Sequence, residues 1–129
     1  MKFSIQVNAS PYHTQSSLTA FKFVKKSLEL GHEVIRVFFY HDGVFNAFKY
    51  ATPLDDEINL TQLWSELAKQ YQIDLVICIS AAQRRGLLTI DEASRQGKQD
   101  NDLADGFRIS GLGQWVEAAL LADRFIVFG

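Results

Sequence analysis

The chain has little of several things that would otherwise define it. Its 129 residues include one cysteine, Cys78, and two prolines. A single thiol excludes an internal disulfide, a Cys-x-x-Cys redox pair and a cysteine-rich zinc site. The three histidines lie far apart, without His-x-His or His-x-x-x-His spacing, which argues against a metal centre of another kind. Nowhere is there an apolar run of about 18 residues, the length a membrane span needs. Charge of one sign is also missing: 13 Lys and Arg against 15 Asp and Glu leave a net charge of -2. That balance gives no general pull toward nucleic acid or anionic lipid. The N-terminus enters a strand-like pattern directly at Lys2-Phe3-Ser4-Ile5, with no secretory pattern ahead of it. A reduced, cytoplasmic setting is the expectation.

What is present is a globular composition, 47% hydrophobic and 22% charged, in a chain of one-domain size. Phe3, Ile5 and Val7 alternate with Ser4, Gln6 and Asn8, the period-two mark of a strand with one wetter face. After a loop containing His13, Ser16 or Ser17 is placed to cap a helix carrying Leu18, Phe21, Val24 and Leu28 at helical spacing, closed by Gly31. Residues 34–40 are almost wholly apolar, as in a strand covered on both faces. Residues 44–52 read as a short helical or irregular stretch. Leu60, Leu63, Trp64 and Leu67 then mark an amphipathic helix. Residues 73–79 form the third and most hydrophobic strand, after which Ser80 is placed to cap a short helical turn stopped by Gly86.

Thr89-Ile90-Asp91-Glu92 has the form of a capping box, predicting a short helix to Gly97. Residues 98–105 are polar, 107–109 read as a short strand, and 125–128 as a last one. Between them Ser110 is expected to cap a helix whose buried face is Leu112, Trp115, Val116, Ala119 and Leu120. Alternating strands and helices with short connections predict an α/β fold: a single three-layer domain, residues 1–129, with a mostly parallel sheet of four or five strands flanked by helices. The wetter face of the first strand and the surplus aromatics, Phe45, Phe48, Tyr50 and Trp115, suggest burial against another chain.

In open parallel sheets, reactive groups gather at the carboxyl ends of the strands. Four segments converge there: the loop with His13, the turn with His41 and Asp42, the end of the third strand at Cys78, and Ser110 to Gly113. Arg84 and Arg85 follow Cys78 closely. A thiol at a helix N-terminus with cations beside it is driven toward thiolate, the nucleophilic form. A lone cysteine in an apolar strand also reads as a small buried hydrophobe. His13 and His41 read either as acids or bases or as loop hydrogen-bonding groups. Arg84 and Arg85 read as surface charges or anion ligands. Gly111-Leu112-Gly113 is too short for a dinucleotide fingerprint, and the first loop has hydroxyls but no glycine-rich phosphate cradle.

Three strings, in order and spanning essentially the whole chain, resemble the DsrE-like sulfurtransferases, TusD-type chains in particular. They are Val37-Phe38-Phe39-Tyr40-His41-Asp42-Gly43-Val44, then Ala82-Gln83-Arg84-Arg85-Gly86, then Gly111-Leu112-Gly113-Gln114-Trp115. The resemblance implies a persulfide relay in which the family's active cysteine corresponds to Cys78. It implies TusB-like and TusC-like subunits in a heterohexamer, a TusA-like sulfur donor, a TusE-like acceptor, and thiolation of a tRNA wobble uridine as the destination. No cofactor and no direct contact with nucleic acid is expected. A non-catalytic subunit of such a complex, a DsrE-type carrier in sulfur oxidation, and a flavodoxin-like ligand-binding domain are the competing expectations.

Overall fold

A computed structural model describes residues 1–129. Five strands, β1 (Lys2–Val7), β2 (Glu33–Phe39), β3 (Leu75–Cys78), β4 (Phe107–Ser110) and β5 (Arg124–Phe128), form one sheet in the order β4-β3-β2-β1-β5. Every pairing in it is parallel. The helices are α1 (Ser16–Glu29), α2 (Leu60–Tyr71), α3 (Ile79–Arg84), α4 (Ile90–Arg95) and α5 (Leu112–Leu121), with a 3-10 segment at His41–Ala47. This is the α/β architecture that the alternation of patterns predicts.

Side-chain alternation along the strands sorts the two faces. Ile5, Val7, Val37, Phe39, Leu75 and Ile77 are fully buried beneath α1 and α2. There the Trp64 ring meets Phe21 and Phe39 edge-on, with centroids 5.2 and 5.3 Å away. The opposite face of the sheet carries α5, and its contacts are polar at the centre. Trp115 Nε1 donates to Gln6 Oε1 at 2.7 Å, and Arg36 donates to the Gln114 carbonyl at 2.8 Å. The wetter face of β1 is therefore the face beneath α5, and Ser4 on it is buried.

Two expectations about α5 are corrected. Its N-cap is Gly111, with no side-chain cap hydrogen bond, and Ser110 is the last residue of β4. Its apolar stripe is not turned into this chain: Leu112, Val116 and Leu120 are 49%, 45% and 80% exposed, and Ala118 is the buried residue. The periodicity was real, but one turn of apolar side chains suffices to reach the sheet. The remainder stands free, beside Phe125 and Val127 on the edge strand β5, which are also exposed. Caps elsewhere also shift by a residue or two. Gln15, not a serine, precedes α1, and Ser17 instead donates to the Ala9 carbonyl at 2.6 Å. Thr89 does cap α4 by accepting from the Glu92 amide. No helix is long and apolar enough to cross a membrane.

Candidate functional site

Cys78 ends β3, in register with Ser110 at the end of β4, and its backbone (φ -62°, ψ 123°) is the N-cap of α3. The sequence places the turn there because Ser80-Ala81-Ala82 follows a β-branched run, and alanine favours helix where Val76 and Ile77 favour strand. Ser80 lies inside α3 and does not cap it. Its hydroxyl is the hydrogen-bonding partner of the thiol, with Sγ to Oγ at 3.4 Å. The strand end is as expected, and the thiol there is buried, as the reading of a small hydrophobe has it. Cys78 is 1% exposed, and Ala81 and Ala82 of the helix that follows it are buried as well. Its neighbours Ile79 and Ser80 are exposed, so burial sets in abruptly at the strand end.

The expected cations do not point at the thiol. Arg84 is exposed and makes no ion pair, while Arg85 reaches away to Asp42, with Nη2 to Oδ1 at 3.0 Å. Arg85 Nη1 also donates to the Ala81 carbonyl at 3.0 Å, so one guanidinium joins the end of α3 to the 3-10 segment. Gly86, at φ 86°, supplies the left-handed residue that lets Leu87 fold back and donate to the Ala82 carbonyl. His41 itself has φ 50°, and its ring stacks on Tyr40 with centroids 4.2 Å apart. His13 is exposed and makes no hydrogen bond. The structure thus brings the four segments to one edge of the sheet but leaves both histidines without a polar partner.

Sequence reasoning missed the residue that holds these loops together. Asn46 is fully buried in the 3-10 segment and donates to Ser17 Oγ and to the Gly43 carbonyl, at 3.1 and 2.9 Å. Its Oδ1 accepts from Trp64 Nε1 at 3.2 Å, so α1, α2 and the 3-10 segment share one polar centre. Gly43 is required beside it: a Cβ there would sit 2.0 Å from the Val7 carbonyl oxygen. On the α5 face, Asp74 accepts from Arg36 Nε at 2.6 Å and from Arg108 Nε at 2.7 Å. Burial pushes the Asp74 carboxyl upward, and the two guanidiniums more than reverse it, leaving it below the usual carboxylate value.

No group of three or more His, Cys, Asp or Glu is arranged to hold a metal ion. Two contiguous cavities lie along the loop after β1. One, of about 570 Å³, is lined by Tyr12, Phe45, Phe48 and Tyr50 with Asp42 and Asp102. The other, of about 330 Å³, shares Pro11 and Tyr12 with it and adds Asp56, Glu57 and Ile58.

The family model of the DsrE/DsrF-like family matches residues 1–128. The chain is similar to the "Putative sulfurtransferase DsrE" of Allochromatium vinosum, 54% identical over 129 residues, covering 100% of this chain and 99% of that protein. It is 43% identical to a "Sulfurtransferase TusD homolog" of Vibrio vulnificus, with coverage of 99% and 98%. Among solved structures, the ychN protein of E. coli superposes with a TM-score of 0.79 at 22% identity, covering 99% of both chains. At that identity the likeness speaks for the fold.

Proposed function

The chain belongs to the DsrE/DsrF-like family, and from that premise we propose that it is a sulfurtransferase subunit that carries sulfur on Cys78. The observation that carries the reading is the position of the chain's one thiol. It stands at the carboxyl end of a central strand and the start of a short helix, in a chain similar over its full length to proteins named sulfurtransferases. In the receiving step the Cys78 thiolate attacks the outer sulfur of a donor persulfide. A new S–S bond forms on Cys78, the donor's S–S bond breaks, and the donor leaves as thiolate. In the delivering step an acceptor thiolate attacks the outer sulfur of the Cys78 persulfide, and the Cys78 thiolate departs. Neither step changes the overall oxidation state, so no cofactor is required. With one cysteine, the chain cannot resolve its persulfide internally, and each sulfur leaves to another protein.

The burial of Cys78 adds a requirement. Both attacks need a line of approach to the outer sulfur, so the residues that bury Cys78 must move, by themselves or under an incoming partner. Incubation with a persulfide donor should add one sulfur atom to Cys78, seen by intact mass and removed by reductant. A competent donor that adds no mass to the assembled protein refutes the carrier reading. A Cys78→Ser variant should fold and assemble yet pass no sulfur.

For the partners, we carry forward a TusA-like donor, a TusE-like acceptor, TusB-like and TusC-like subunits in a cytoplasmic heterohexamer, and tRNA wobble uridine thiolation as the end point. The support is the likeness to TusD homologues and the free apolar stripe on α5. A second reading, a DsrE-type carrier in sulfur oxidation, is favoured by the higher identity to the relative named DsrE, 54% against 43%. Restored tRNA thiolation in cells lacking their own TusD-type subunit would support the first reading. Failure to restore it, with sulfur still loaded on Cys78, would support the second.

A further inference from the structure

We propose that the two contiguous cavities along the loop after β1 form a docking groove for a basic, apolar-interleaved segment of the protein that exchanges sulfur with Cys78. The groove's lining makes the case. Tyr12 and Pro11 line both cavities, so the two adjoin along one stretch of surface, with the Tyr12 hydroxyl held between the Ile58 carbonyl and the Leu60 amide. Along it Tyr12, Phe45, Tyr50 and Ile58 are exposed large apolar side chains, concentrated where a freely solvated loop has no need of them. Phe45 and Phe48 are stacked with centroids 5.3 Å apart, which holds both rings in place at the cavity wall.

The ionisable residues lining the trough are acidic, with Arg85 paired to Asp42 and Lys49 Nζ 5.0 Å above the Tyr50 ring at its margin. Asp42 and Asp102 line the first cavity, Asp56 and Glu57 the second, and no lysine or arginine lines either. Asp56, Glu57 and Asp102 make no ion pair within the chain, so their charge is free to meet a partner. Carboxylates around aromatic faces suit guanidinium and ammonium groups, through ion pairing and cation–π attraction together. The apolar stretches between them suit aliphatic or aromatic side chains spaced between the charges. An extended peptide meets both demands; a small polycation meets only the first.

The groove also ends in a useful place. Asp42 is at once a wall of the first cavity and the ion-pair partner of Arg85. Arg85 lies one short helix, about 10 Å of axial rise, from Cys78. A basic side chain arriving at Asp42 competes with Arg85 for the same carboxylate, and so loosens the far end of the helix that starts at Cys78. Docking and uncovering are coupled through one carboxylate. This inference rests on Cys78 as sulfur carrier for its partner, but the groove's affinity is measurable without sulfur.

The test titrates the full chain with a synthetic peptide of alternating arginine and leucine, followed by backbone amide shifts. A glutamate–leucine peptide and spermine are run alongside. The expected shifts fall on residues of the trough and of α3, weaken with added salt, and are absent with the acidic peptide. Each of Asp102→Asn and Glu57→Gln should weaken binding about 1.4-fold to fivefold, the range of one exposed ion pair. Shifts centred on the α5 stripe, equal binding of spermine, or affinity indifferent to both substitutions would overturn the groove. So would groove variants that lose self-association instead of peptide binding, since that assigns the trough to a second copy. Cys78→Ser must bind the peptide as the parent does. A chain that binds peptide but takes up no sulfur keeps the groove and loses the carrier; the reverse keeps the carrier and loses the groove.

Discussion

If α3 is a cover held partly by the Asp42–Arg85 pair, then removing the pair should raise the reactivity of Cys78 without touching the thiol. Cys78 is 1% exposed, so a neutral alkylating reagent reacts through a small population in which the site is open. When the cover recloses faster than the reagent attacks, the observed rate is proportional to that population. The pair spans 3.0 Å with side chains 24% and 62% exposed, which places it among surface ion pairs of about 0.2–1 kcal/mol. Asp42→Asn should therefore speed alkylation by about 1.4-fold to fivefold at neutral pH and low salt. Arg85→Gln should exceed it, because it also removes the donor to the Ala81 carbonyl. The assay is the initial alkylation rate by intact mass, in a series of urea concentrations well below the unfolding transition. Rates that are unchanged by both substitutions would refute the cover. Rates whose urea slope equals that of global unfolding would refute it as well, since the thiol would then react only in the unfolded chain.

Other perturbations have definite outcomes. Asp74 has its folded value held below the ordinary 3.8 by Arg36 and Arg108, so its stabilisation is complete above the unfolded carboxylate range and is lost as pH falls through the lower, folded value. Urea midpoints from neutral pH to pH 3 should fall less steeply in Asp74→Asn, which itself costs about 1.5–3 kcal/mol through lost charged hydrogen bonds. Gly43→Ala drives a Cβ into the Val7 carbonyl and should destabilise by more than about 3 kcal/mol, beyond ordinary overpacking, as read from thermal or urea unfolding. Leu120→Asp, at an 80% exposed position, should change the stability of the single chain by less than about 0.5 kcal/mol while reducing the assembled mass in size-exclusion chromatography.

The strands were legible because hydrophobic side chains on a fully covered parallel sheet leave near-continuous runs. Residues 34–40 and 73–79 are such runs, and each overshoots its observed strand by a residue or two because the flanking turns are apolar as well. The address of Cys78 was legible for the same reason. Its burial was not, since that depends on tertiary packing, nor was the choice by Arg85 of Asp42, 43 residues away in sequence, as its partner. Asn46 left no trace because a buried amide satisfied by tertiary partners looks, in sequence, like any polar residue in a loop. The stripe on α5 carried the opposite lesson. Periodicity reports that a helix face wants to be dry, and says nothing about which molecule will dry it.

A sulfur atom parked on Cys78 would be sealed from the small thiols and peroxides of its surroundings by the same fold that hides the parent thiol. Persulfides are readily stripped by any free thiolate that reaches the outer sulfur. An exposed carrier would therefore leak its cargo to the bulk thiol pool between deliveries. If the six residues of α3 form the cover, they would turn that competition into a matter of escort, quick for a protein able to lift them and slow for everything else.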